Sequence, residues 1–176
     1  ADPRLVNVTR PGGTSGFAPL HQAAYHGAAV AAEALVARGA WLALRTAAGE
    51  RPCDVARQRG HGALADRLEP PTRWATPPEV VHALEQYLHA VIRVRADEQV
   101  REAALRLPPV EPLLGMVEPR MWCPIPGMYG GFSLRLLRPG PDAQLQAESW
   151  CRVVDGSGQR HLITARGVQL VAEGFV

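Results

Sequence analysis

A chain of 176 residues, 47 % hydrophobic and 20 % charged, carries enough apolar side chain to bury a core, as one compact domain or two small ones. Its formal net charge of +2 excludes a strong field toward nucleic acid or anionic lipid, because neutralising several phosphates takes a clustered basic face. All 19 basic residues are Arg, which points to a GC-rich genome and excludes a Schiff-base or phosphate-loop lysine supplied by this chain.

The first element in chain order is a repeat. Offsetting the sequence by 33 residues places Gly16 on Gly49, Pro19 on Pro52, Ala23 on Ala56 and Gly27 on Gly60. The first unit runs Gly16-Phe17-Ala18-Pro19-Leu20-His21-Gln22-Ala23-Ala24-Tyr25-His26-Gly27, then Leu35-Val36-Ala37-Arg38-Gly39-Ala40. Pro19 suits a first helical position, where its missing N–H would have no partner anyway. Ala23 and Ala24 are small enough for two helices to approach, and Gly27 and Gly39 suit left-handed helix ends. This pattern resembles the ankyrin repeat, with Ala18 where the family usually has Thr. That departure removes a helix cap worth about 0.5 to 2 kcal/mol. The resemblance implies helix-turn-helix pairs, a structural His21 that ties neighbouring loops together, and a protein-binding surface.

The second unit, Gly49 to His61, has Asp54 in place of His21, and its second helix is expected over about 63 to 68, before Pro70-Pro71. Its polar, Arg-rich character resembles a capping repeat. Ala1-Asp2-Pro3 resembles the end of a preceding repeat, so the stack is expected to begin upstream. Two repeats alone are seldom stable, and the uncovered edge points to more repeats, the C-terminal part or another copy of the chain as its cover.

Thr76-Pro77-Pro78-Glu79 reads as a capping box with Thr76 as the cap. Val80, Leu84, Tyr87, Leu88 and Val91 then line one face of a helix over about 77 to 92, and a second helix is expected over about 97 to 107. His82 and His89 share a side of the first helix, but no third ligand stands at an obvious spacing, and no metal site is expected. From Pro108 onward, Pro and Gly punctuate alternating runs, predicting strands at about 132 to 137, 145 to 154, 159 to 164 and 167 to 172. The simplest topology is a small antiparallel meander or barrel.

The expected fold is thus α+β: ankyrin helix-turn-helix repeats over 1–71, connecting helices over 72–107, and a small antiparallel β module over 108–176. A turn centred on Gly156-Ser157, between the strands at about 145 to 154 and 159 to 164, would pair Arg152 with His161 and Trp150 with Ile163, gathering Glu148, Trp150, Arg152 and His161 on one polar face. Cys151 would lie on the other, apolar face as a small buried hydrophobe. The aromatic, Pro- and Gly-rich stretch from Trp122 to Phe132 is expected to fold as a loop over Trp150, with its glycines admitting close backbone approach.

Two functions follow as expectations. The first is a protein-interaction scaffold that uses the ankyrin surface. The second is an enzyme or small-ligand protein working by acid/base hydrolysis, with Glu148, Arg152 and His161 as catalytic candidates and Tyr129 and Trp150 as ligand-binding walls. No cofactor is expected, nor a nucleic-acid or membrane partner, while a homo-oligomer is a further expectation from the uncovered repeat edge. Cys53, Cys123 and Cys151 are odd in number and lack zinc spacing, and no apolar run or signal segment points elsewhere than a reducing cytoplasm.

Overall fold

The computed structural model describes residues 6–9, 13–152 and 157–175. It has helices followed by a five-stranded antiparallel sheet, an α+β architecture that divides into two compact units, 1–71 and 72–176. The connecting helices and the strands expected to be separate regions thus belong to one unit. The expected repeat remnant at Ala1-Asp2-Pro3 lies outside the described residues.

In the first unit, four short helices form two pairs. They are α1 (Pro19–Tyr25), α2 (Ala29–Val36), α3 (Pro52–Gln58) and α4 (Gly62–Arg67). The starts at Pro19 and Pro52, and at Ala29 and Gly62, keep the 33-residue offset found in the sequence. Both α1 and α3 begin with proline, and neither has a side-chain cap on its first orphan N–H groups. The third helical residue supplies a partial substitute in each. The Ala18 N–H donates to His21 Nδ1 at 3.2 Å, and the Arg51 N–H donates to Asp54 Oδ2 at 2.9 Å. His21 and Asp54 are therefore the same backbone device in two chemistries, the reaching-back half of a capping box. His21 does more, because its Nε2 also lies 3.0 Å from the Leu44 carbonyl and 3.3 Å from that of Glu50. A fully buried imidazole thus ties α1 to the loop that leads into α3. Around it, Leu20, Ala24, Ala32, Cys53, Val55, Ala56, Leu64 and Ala65 form a core of small and branched side chains that lets the helices pack closely.

The second unit is built on α5 (Pro78–Glu102) and a meander. Val80, Leu84, Leu88 and Val91 are buried on one side of α5, as their spacing predicts, with Ile92 buried beside them and Tyr87 half-buried. The helix is broken at Ala96, where φ −150° and ψ 35° leave the helical region, so the two expected helices abut across a kink, and the second ends at Glu102, short of the expected 107. The expected cap is displaced by one residue. Pro77 holds the N-cap position and Pro78 starts the helix, while the Thr76 hydroxyl donates to the Trp74 carbonyl and accepts from the Gly140 N–H. With prolines at both 77 and 78, the first turn has no N–H to offer at either position, so a cap hydroxyl gains less there.

After α5 the chain makes a 3-10 helix (Glu111–Gly115) before the strands begin. Its entry is stapled to α5: the Val110 N–H donates to Glu85 Oε2 at 2.9 Å, and His89 Nε2 lies 3.0 Å from the Pro108 carbonyl. The strands are β1 (Arg120–Ile125), β2 (Gly130–Arg138), β3 (Gln144–Cys151), β4 (Ser157–Thr164) and β5 (Gly167–Phe175), each paired with the next. The sheet is an open meander among the described residues, not a closed barrel.

Two expectations about the sheet are corrected. The stretch from Trp122 to Phe132 is not a loop over Trp150, because it is the β1–β2 hairpin, with Trp122 opposite Ser133 and Pro124 opposite Gly131. Pro124 is tolerated because β1 is an edge strand. The glycines do serve close approach: a Cβ on Gly130 would stand 1.8 Å from the Trp150 carbonyl oxygen. The second correction concerns the β3–β4 register. Trp150 pairs with Gly158, Glu148 with Arg160 and Ala147 with His161, not Trp150 with Ile163 or Arg152 with His161. Of the expected central turn residues, Gly156 lies outside the described residues and Ser157 begins β4. The observed register differs from the expected one by an odd number of residues, which exchanges the faces of the whole of β4 relative to β3.

Candidate functional site

The sheet separates the polar residues expected to act together. Met121, Cys123, Phe132, Leu134, Leu145, Ala147 and Ile163 are buried on one face, against which α5 packs. His161, opposite Ala147, belongs to that covered face. Glu148, Trp150 and Gln146 belong to the other, with Arg160 opposite Glu148. The acid/base group of Glu148, Arg152 and His161 is therefore not assembled on one face.

Each member has a definite local partner. Glu148 forms an ion pair with Arg160 and accepts from Gln146 Nε2 at 3.2 Å. Arg152 lays its guanidinium 4.5 Å from the centre of the Trp150 ring, a cation–π contact that leaves Trp150 half-exposed. Tyr129 is 77 % exposed at the end of the β1–β2 turn, with φ 50°, and its carbonyl accepts from the Arg152 N–H at 3.3 Å. It borders the Trp150 strand through its backbone, not as an aromatic wall.

On the covered face, Arg95 of α5 donates to Ser149 Oγ at 3.2 Å and to the Ser157 carbonyl at 2.8 Å. His161 Nδ1 is buried with no hydrogen-bond partner among the described residues. Burial lowers the His161 pKa below its ordinary value, and the nearby Arg95 charge lowers it further. Both effects favour the neutral imidazole over its charged form. Cys151 shares the face of Ala147 and Ser149, as its alternation predicts, but as the last residue of β3 it is only half-buried. Its thiol lies 2.9 Å from the Met128 carbonyl and donates to it.

In the helical unit, a different cluster reaches the surface. Phe17, Tyr25 and His26 form a ladder of rings, with centroids 6.3 Å apart for Phe17–Tyr25 and 5.1 Å for Tyr25–His26. Arg59, from the turn after α3, places its guanidinium 3.8 Å from the centre of the Tyr25 ring. Phe17 and Tyr25 are half-buried against the unit's core, whereas His26 and Arg59 are exposed. The residues come from both repeats, and Tyr25 and Arg59 meet only because α1 and α3 pack side by side. Compared with protein-family models, curated proteins and solved structures, the chain has no significant match.

The histidines of α5 are engaged locally. His82 Nε2 lies 2.9 Å from Gln86 Nε2, and His89 holds the Pro108 carbonyl as described above. Among the described residues, no three His, Cys, Asp or Glu side chains gather in a way that could hold a metal ion, and no helix is long and apolar enough to cross a membrane. Sequence reasoning did not single out Tyr25 and Arg59. The signal was the 33-residue offset itself, which puts His26 and Arg59 at equivalent positions at the ends of the neighbouring helices α1 and α3.

Proposed function

We propose that the helical unit is a protein-binding surface of the ankyrin-repeat type, centred on Tyr25 and Arg59. The observation that carries it is the surface cluster of Phe17, Tyr25, His26 and Arg59 on two helix pairs repeated at 33 residues. Tyr and Arg are, with Trp, the side chains most enriched among the residues that dominate protein interfaces, because each offers a large contact area with a polar group. Here their rings and guanidinium are already stacked on one another. Less conformational entropy is lost when a partner covers them, which favours binding before any new contact is counted. The helical pairs present the cluster on a firm base, since Phe17 and Tyr25 pack onto the core beneath.

The test compares proteins retained from a lysate of the source organism by the full chain and by its Tyr25→Ala/Arg59→Ala variant, with Trp150→Ala as a control on the sheet. The expected result is a partner retained by the wild type and by Trp150→Ala, and lost with the double variant while its thermal melt stays cooperative. An identical retained set for all three chains rules out this surface. A partner lost only with Trp150→Ala moves the binding function to the sheet.

A further inference from the structure

The second unit contains a cleft of about 430 Å³ lined by both apolar and charged side chains. Its apolar walls are Trp74, Val117 and Leu137, and its charged lining is Glu118, Arg120 and Arg135. Val117 and Leu137 are 72 % and 44 % exposed, so this apolar surface is open to water. Trp74 is held in place from both ends of the residue. Its backbone N–H donates to the Leu114 carbonyl at 3.0 Å, and its indole N–H donates to the Met116 carbonyl at 2.8 Å. With the indole N–H already committed, the ring offers the cleft only its apolar surface.

The two arginines make the cleft unusual. Arg120 of β1 and Arg135 of β2 are directly opposite one another in the sheet, on its face away from α5. Like charges at directly opposed strand positions repel and destabilise the pairing. Glu118 offsets part of this by bonding Arg120, with its Oε2 3.0 Å from Arg120 Nε. The Arg135 guanidinium has no carboxylate or hydrogen-bond partner among the described residues. The cleft thus holds two guanidinium groups against one carboxylate, an excess of one positive charge beside apolar walls.

We propose that this cleft binds a small organic monoanion, a carboxylate with an apolar body, with Arg135 holding the charged end and Trp74 and Val117 covering the body. A guanidinium presents parallel N–H donors that match a carboxylate two-to-two, and such bonds are stronger than neutral ones. The volume lies within the usual range for small-molecule sites, which pair apolar walls with a few placed polar groups in the same way. A monoanion neutralises the excess charge and relieves the Arg120–Arg135 repulsion. A dianion would overshoot it and face Glu118, so the site discriminates against phosphate monoesters.

The experiment is calorimetric titration of the full chain with benzoate, 3-phenylpropionate, benzamide and phenyl phosphate, with the Trp74 indole N–H followed by NMR and assigned through Trp74→Phe. Expected are millimolar binding of at least one of the two carboxylates and a shift of the Trp74 indole signal. Benzamide should bind at least about tenfold more weakly, as loss of a charge-assisted contact requires. Arg135→Gln should lose binding by a similar factor, whereas Arg93→Gln, which does not line the cleft, should keep it. Carboxylate binding by the wild type should also weaken with added salt, a readout independent of whether any variant folds. Benzamide binding as well as the carboxylates, phenyl phosphate binding more tightly than they do, a Trp74 signal that does not move, or no heat from either carboxylate would each overturn the proposal.

Discussion

At the scale of single residues, equivalent positions in the two repeats differ in what surrounds them. Gly27 and Gly60 both have positive φ, 64° and 81°. A Cβ on Gly27 would also stand 2.6 Å from the His61 ring, while one on Gly60 would meet nothing within 4 Å. Gly60→Ala should therefore cost about 1 kcal/mol for the left-handed backbone, and Gly27→Ala that plus about 1 to 3 kcal/mol for crowding His61. Urea unfolding of the two variants measures the difference, and equal losses would show that His61 swings aside. The cysteines give a second residue-scale expectation. Burial pushes the Cys53 thiol up to about 11, with the Asp54 charge adding to it, and burial alone pushes Cys123 up to about 11. Both should resist iodoacetamide at mildly alkaline pH because the thiolate is the reactive form. Cys151, half-buried at the end of β3, should be alkylated first, as peptide mass spectrometry over time will show. That order differs from the protection expected from its apolar strand face, since position at a strand end governs access as much as the face does.

At the scale of elements, the start of α3 links charge to stability. Burial alone would raise the Asp54 pKa, but the Arg51 N–H and guanidinium, and the Arg51 charge, together hold it below the usual carboxylate value. A depressed folded pKa contributes stability that is fully present above the unfolded value of about 3.9 and is lost as pH falls through the folded pKa. Asp54→Asn should therefore melt below the wild type near neutrality, and the gap should close on acidification below about pH 4. A gap that stays constant across that range would mean the carboxylate charge is not what holds the helix start. In α1 the corresponding bond comes from His21, whose second nitrogen reaches Leu44 and Glu50. Exchanging the two residues would keep the local bond and sever the link between α1 and the following loop.

At the scale of the whole molecule, each unit buries its own core: the small helical residues around Ala24 and Ala56 in one, and α5 against the sheet in the other. Residues 72–176 should fold when expressed alone, with a cooperative melt and a β-rich circular dichroism spectrum. Residues 1–71 should be markedly less stable alone, because four short helices around a core rich in alanine bury little apolar surface for a unit of this size. If both fragments melt as the intact chain does, the helical unit needs no cover. If residues 72–176 alone are unfolded, the sheet depends on residues outside its own unit.

Much of the helical unit could be read without coordinates. Pro19 and Pro52 mark helix starts, and Gly27, Gly39 and Gly60 take positive φ, because these are local preferences that a 33-residue offset makes visible twice. The buried face of α5 and the order of the last four strands were equally legible, from spacing and turn residues. The candidate site was not. In β4, Gln159, Arg160, His161 and Leu162 carry no clean apolar alternation, so hydrophobic pattern alone leaves the register open and a turn has to be assumed. Tertiary packing decides it: α5 covers the face that holds Ala147 and Ile163, and that choice carries His161 to the covered side and Glu148 to the other. The meeting of Tyr25 with Arg59, and of Trp74 with Arg120 and Arg135, likewise depends on segments far apart in the chain. Local sequence determines which backbone conformations are cheap, whereas which side chains share a surface is settled only when the elements pack.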